Sequence, residues 1–159
     1  MTRYIFLDFD GVISTDRNNL GRKDLGLPVR DELGPFFDAN AVDNLNRLVD
    51  ASDADIIITS SWKYLGFDAM RELWKRRSMP GFLRGINPDV TGGYMFKRGM
   101  EIARWLHDNT CDEPQSYRYV IVDDGEDFLP EQIPFAVFTN PRIGLSAEDA
   151  DRAIAILTE

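Results

Sequence analysis

The sequence predicts an α/β fold, a Rossmann-like doubly wound parallel sheet with helices on both faces and a minimal cap. Two observations carry that expectation. Four short apolar runs each end in polar residues, and amphipathic helical patterns lie between them. Continuous apolar runs are how strands buried on both faces of a parallel sheet read. Strands alternating with helices imply right-handed βαβ units covered on both sides.

The first run is Tyr4, Ile5, Phe6 and Leu7, and it ends at Asp8. Residues 14–36 follow, polar and rich in Gly and charge, and read as a loop or small flap. Asp38 is placed to cap a helix whose apolar face is Val42, Leu45, Leu48 and Val49. Ile56, Ile57 and Ile58 form the second run, followed by a helix carrying Met70, Leu73 and Trp74. Residues 79–95 contain Pro80, Gly81, Gly85, Pro88, Gly92 and Gly93 and read as a second flap. Ile102, Trp105 and Leu106 mark the next helix. The third run is Tyr119 to Val122 and the fourth Phe135 to Phe138. Ser146 then caps a final helix with Ala150, Ala153, Ile154 and Leu157 inward.

At 159 residues the chain is read as a single domain, residues 1–159, around one core. With 43% hydrophobic and 28% charged residues it has the composition of an ordinary globular protein. No apolar stretch approaches the roughly 20 residues of a membrane span, and the N-terminus lacks a signal-peptide layout. Together with a single cysteine, Cys111, which cannot form an internal disulfide, this gives a cytoplasmic expectation. The net charge of -9 argues against broad duplex binding, which Lys and Arg drive by releasing counterions.

In doubly wound sheets, ligands bind beyond the carboxyl ends of the strands, so those ends are where chemistry is sought. Asp8 and Asp10, two positions apart in Asp8-Phe9-Asp10-Gly11, lean to one side while Phe9 faces the other. Gly11 permits a sharp turn, although Asp-Gly after a strand also signals a hairpin. Asp123, Asp124 and Asp127 form a second acidic cluster after the third run. An isolated acidic pair reads as a solvated loop. Two such clusters at the ends of separate buried strands need a cation, and oxygen-only ligands point to Mg2+.

Thr59 is best placed to hydrogen-bond a phosphoryl oxygen, while Ser60 and Ser61 serve equally as helix caps or substrate contacts. Lys97 and Arg98 start a helix, where positive charge is disfavoured unless an anion lies near. His107, at the end of that helix, reads as structural. Trp62, Trp74 and Trp105 read as packing residues without a nucleotide-stacking array.

The ordered set DFDG, TSS, a basic residue and DDGED resembles the four motifs of the haloacid dehalogenase (HAD) superfamily, across nearly the whole chain. The segments FLDFDGVI, VDNLNRLV, ITSSWK, RGMEIARWL and VIVDDGEDF resemble the HAD domains of Swiss Army Knife RNA repair proteins and related phage or bacterial stand-alone proteins. The resemblance implies a Mg2+-dependent phosphatase in which Asp8 attacks phosphorus to give an aspartyl-phosphate and Asp10 moves the proton. It implies metal ligation by Asp8, the Asp10 backbone carbonyl and one or more of Asp123, Asp124 and Asp127. Thr59 and Arg98, or Lys97 in its place, would hold the phosphoryl oxygens. Gly11, Ser60, Ser61 and Lys63 are the expected substrate contacts. Related sequences often carry Arg where this chain has Lys63, which weakens any bidentate contact there.

The spacings leave room only for helices and flaps, so an open site is expected, one that admits a phosphorylated nucleotide, nucleic-acid end or phosphoprotein. Arg17, Arg22, Lys23, Arg30, Lys63 and Arg84 could add phosphate contacts. Phosphoryl transfer to a second substrate and a non-catalytic binding module are the alternatives.

Overall fold

A computed structural model describes residues 1–90, 95–111 and 116–159. Its sheet contains β1 (Thr2–Leu7), β2 (Asp55–Ile58), β3 (Leu83–Ile86), β4 (Tyr117–Asp123) and β5 (Ala136–Phe138). The spatial order is β3-β2-β1-β4-β5, and every neighbouring pair is parallel. The helices are α1 (Asp16–Asp24), α2 (Ala39–Ser52), α3 (Phe67–Arg76), α4 (Lys97–Thr110) and α5 (Ala147–Thr158). This is the expected Rossmann-like fold.

The buried runs of β1, β2 and β4 are apolar because each face meets a different layer. Ile5, Leu7, Ile56, Ile58, Val120 and Val122 join Leu45, Leu48, Met70, Leu73, Ala153 and Leu157 in one core. Tyr4, Phe6, Ile57 and Ile121 turn the other way, onto Ile102, Trp105 and Leu106 of α4. Period-two alternation thus splits each run between two helical layers.

The caps fall where the sequence puts them. Asp38 accepts from Asn40 N and Ala41 N at the start of α2, and Ser146 accepts from Asp149 N in a capping box at the start of α5.

Both flap expectations need correction. Residues 14–36 contain α1, which buries none of its side chains and therefore shows no apolar stripe. It is fixed instead by its Thr15 cap and by backbone bonds from Asp16 N to Pro141 O and Arg17 N to Arg142 O. Residues 79–95 contain β3, whose four residues include Arg84 and Gly85 at the sheet edge and so lack an apolar run. Gly92 and Gly93 lie outside the described residues. Phe135, expected to open the last strand, closes a 3-10 turn over Pro130–Phe135 instead.

The strand order has a direct consequence for function. From β1 the chain builds outward through β2 to β3, then returns to place β4 and β5 on the other side. The connections therefore diverge between β1 and β4, which is the topological switch point where such sheets hold ligands. Asp8 and Asp123 flank it.

Candidate active site

Five polar residues stand in a row where the strands end. Asn87 N donates to Ile58 O, Thr59 N to Leu7 O, Asp8 N to Val122 O and Thr139 N to Asp123 O. The sheet's own hydrogen bonding therefore sets the order Asn87, Thr59, Asp8, Asp123, Thr139 across its carboxyl edge. Of these, Asn87 was not singled out by sequence reading, because β3 was not recognised.

After Asp8 the backbone folds on itself. Phe9 O accepts from the amides of Val12, Ile13 and Ser14, while the Phe9 ring packs on Phe37 and Trp74. Gly11 has φ +82°, and a Cβ there would overlap the Asp124 carboxylate. Glycine is thus required twice, by conformation and by close approach. Thr139 Oγ1 donates to Gly11 O at 2.7 Å, tying the turn to the end of β5.

Asp8, Asp123 and Asp124 each offer an oxygen, and these atoms lie within 4.8 Å of one another. Asp8 and Asp123 are buried, whereas Asp124 faces solvent. Asp8 Oδ1 accepts from Phe9 N, and Asp123 Oδ1 accepts from Gly125 N. Arg98 Nη1 sits between the remaining oxygens, 3.0 Å from Asp8 Oδ2 and 2.7 Å from Asp123 Oδ2. Burial, reinforced by the Asp123 charge, pushes the Asp8 carboxyl up to about 7 despite Arg98. Asp124 is raised too, by burial and by Asp123. Two carboxylates held against their charge beside a third are electrostatically unfavourable, and one guanidinium leaves the fully ionised set two charges negative. A divalent cation would balance that excess, and the all-oxygen donor set suits Mg2+.

Asp10 is not in this trio. It stands at the exposed mouth, where burial raises its carboxyl while Arg98, Arg30 and a hydrogen bond from Ser14 pull it back. Asp127 is also apart: its carboxylate accepts from Arg98 N and its carbonyl from Gly99 N, so it caps α4. Gln132 completes that clamp, with Nε2 on Gly99 O and Oε1 on Leu129 N. A Cβ on Gly99 would overlap this segment. The clamp fixes the helix start from which Arg98 reaches the carboxylates.

Lys97 points elsewhere, exposed and 3.9 Å from Asp89. Between the two basic candidates, only Arg98 meets the acidic residues. Thr59 Oγ1 is buried in the row with no hydrogen-bond partner among the described residues. Ser60 caps the 3-10 turn Ser61–Leu65 by accepting from Trp62 N, and Ser61 is exposed. Lys63 is buried on Glu101 at 3.0 Å and Asn87 at 2.9 Å, rather than beside Asp8. Arg17 pairs with Asp38 and Arg84 with Asp55. Trp74 and Trp105 are core residues as expected, while Trp62 is only partly buried.

Residues 4–150 match the model of the HAD domain in Swiss Army Knife RNA repair proteins. The chain belongs to that family. Neither a curated protein nor a solved structure matches it. Membership makes it a HAD-type phosphatase in general terms, directed at a phosphorylated substrate. HAD domains typically use Mg2+, and the Asp8, Asp123 and Asp124 cluster fits such an ion. No helix among the described residues is long and apolar enough to cross a membrane.

Proposed function

We propose that this HAD domain is a cytoplasmic Mg2+-dependent phosphatase that forms an aspartyl-phosphate on Asp8 and acts on nucleotide or nucleic-acid-end phosphates. The observation that carries the reading is the convergence of Asp8, Asp123 and Asp124 at the switch point, with Arg98 between them and Thr59 alongside.

An Asp8 oxygen attacks phosphorus while the bond to the leaving oxygen breaks and Asp10 supplies the proton. Water then attacks the acyl phosphate, Asp10 takes its proton, and the Asp8–phosphorus bond breaks to release inorganic phosphate. The raised Asp10 carboxyl suits a group that must hold a proton for donation. Thr59 Oγ1, a buried hydroxyl with no partner, supplies a ready donor for a phosphoryl oxygen. Arg98 exchanges its carboxylates for phosphoryl oxygens when substrate enters. Mg2+ held by Asp8, Asp123 and Asp124 would neutralise charge between carboxylate and phosphate.

Family and shape together support the proposed substrate class. The family is that of RNA repair proteins. The insertion after β1 contributes a helix of nine residues, which leaves the mouth at Asp10 open to a large leaving group. A net charge of -9 disfavours a long duplex. Phosphate release from phosphoesters with Mg2+, compared for wild type and Asp8→Asn, tests the proposal. Activity abolished in Asp8→Asn is expected, and equal rates would refute Asp8 as nucleophile.

A further inference from the structure

We propose that the pocket next to the catalytic row, walled by Lys63, Tyr64, Ile86, Asn87, Pro88 and Trp105, seats a nucleobase of the substrate. The inference rests on the phosphatase reading above for its substrate class, but its own observations concern different residues.

The first is position. Ile86, Ile58 and Leu7 are in register across β3, β2 and β1, so Asn87, Thr59 and Asp8 share one line. Two strand spacings place the backbone of Asn87 roughly 10 Å from that of Asp8. A base attached through its ribose to a phosphate at Asp8 spans a gap of that order.

The second is an unmet donor. Asn87 is 1% exposed, and its Oδ1 accepts from Lys63 Nζ, which is itself neutralised by Glu101. Because Lys63 can only donate, the amide is held in one orientation, and Nδ2 is left without a partner among the described residues. A buried donor left unpaired is costly, and an acceptor on a ligand would remove that cost.

The third is an exposed aromatic face. Tyr64 is 74% exposed on the ordered turn that forms the pocket rim, and its ring stacks with Trp62 at 6.3 Å and 26°. Paired rings at a surface are a platform on which a base stacks without regard to sequence. The cavity, about 340 Å³, falls in the range of small-molecule sites. A base supplies both a flat face for Tyr64 and ring or carbonyl acceptors for Asn87. A phosphoserine or phosphothreonine peptide has no such ring.

The test compares wild type, Tyr64→Ala and Tyr64→Phe on a nucleoside monophosphate, a phosphate-ended short oligonucleotide, glycerol phosphate and a phosphotyrosine peptide. Tyr64→Ala is expected to lower kcat/KM on the nucleotide substrates about 5- to 30-fold, to leave glycerol phosphate unchanged, and to be rescued by Tyr64→Phe. A loss on the mononucleotide assigns the pocket to the base bearing the phosphate. A loss on the oligonucleotide alone assigns it to the adjoining base. Rates in Tyr64→Ala equal to those of wild type on every substrate, or a loss confined to the peptide, overturn the proposal while leaving the phosphatase reading intact. Calorimetric titration of Asp8→Asn with nucleoside monophosphate and with inorganic phosphate provides a readout independent of turnover. The nucleotide should bind more tightly than phosphate, and Tyr64→Ala should erase the difference. Should wild type hydrolyse no phosphoester, that titration still decides for or against the pocket.

Discussion

Replacing Asp8 by Asn should stabilise the metal-free protein above neutral pH, even though on the proposed mechanism it should abolish turnover. Asp8 titrates near 7 when folded against 3.8 in its ordinary state, so the native protein binds this proton more tightly than the unfolded chain does. The stability that this proton confers is complete below about pH 4 and is lost as pH rises through about 7. At 1.36 kcal/mol per pH unit, the difference caps the cost of ionised Asp8 at roughly 4 kcal/mol. Asn keeps the shape and removes the charge, but Arg98 loses one of its two carboxylate partners. A net gain of about 1–3 kcal/mol at pH 8 is expected, or about 3–10 °C in Tm for a chain this long. Thermal unfolding in chelator from pH 5 to 8 measures it. The gain should shrink toward pH 5, and Mg2+ should raise the Tm of wild type more than that of the variant. A lower Tm for Asp8→Asn at pH 8 without metal, or a gain that ignores pH, would show that the carboxylates do not repel as the geometry requires.

Other substitutions separate function from folding. Thr59→Val should leave stability unchanged or raise it by about 1 kcal/mol, because the buried hydroxyl has no partner, while phosphatase kcat/KM falls about 10-fold or more; denaturant unfolding and kinetics check the two halves. Gly11→Ala should cost about 1–3 kcal/mol through its left-handed backbone and should also weaken Mg2+ binding, since its Cβ displaces Asp124; calorimetric titration with Mg2+ reads the second effect. Lys63→Met should destabilise by about 3–5 kcal/mol by stranding buried Glu101, and adding Glu101→Leu should recover most of the loss.

The legible parts of the sequence were those where one physical requirement dominated. β1, β2 and β4 had to be apolar on both faces, and α2 and α5 carried explicit caps and periodic inward residues. The strand-end positions of Asp8, Thr59 and Asp123 were readable because each directly follows or ends such a run. Where stability comes from long-range backbone bonds, as in α1, no apolar stripe marks it, and its Thr15 cap is the one local sign. β3 was hidden for a related reason: an edge strand needs little apolar surface. With β3 went Asn87, and with Asn87 the pocket. Charge identity was readable but pairing was not, so nothing in the sequence tied Lys63 to Glu101. Lys97 and Arg98 could be separated only by the direction each side chain takes from the helix start.

Because Asp8 and its partners Asp123 and Asp124 reach the switch point from β1 and β4, a nascent chain lacks the acidic trio until residue 124 has left the ribosome. On the proposed mechanism, catalytic competence therefore requires a completed β4. In engineering terms, turnover is a stringent reporter of sheet completion: variants that fail to dock β4 should be catalytically silent even where β1, β2 and their helices have assembled.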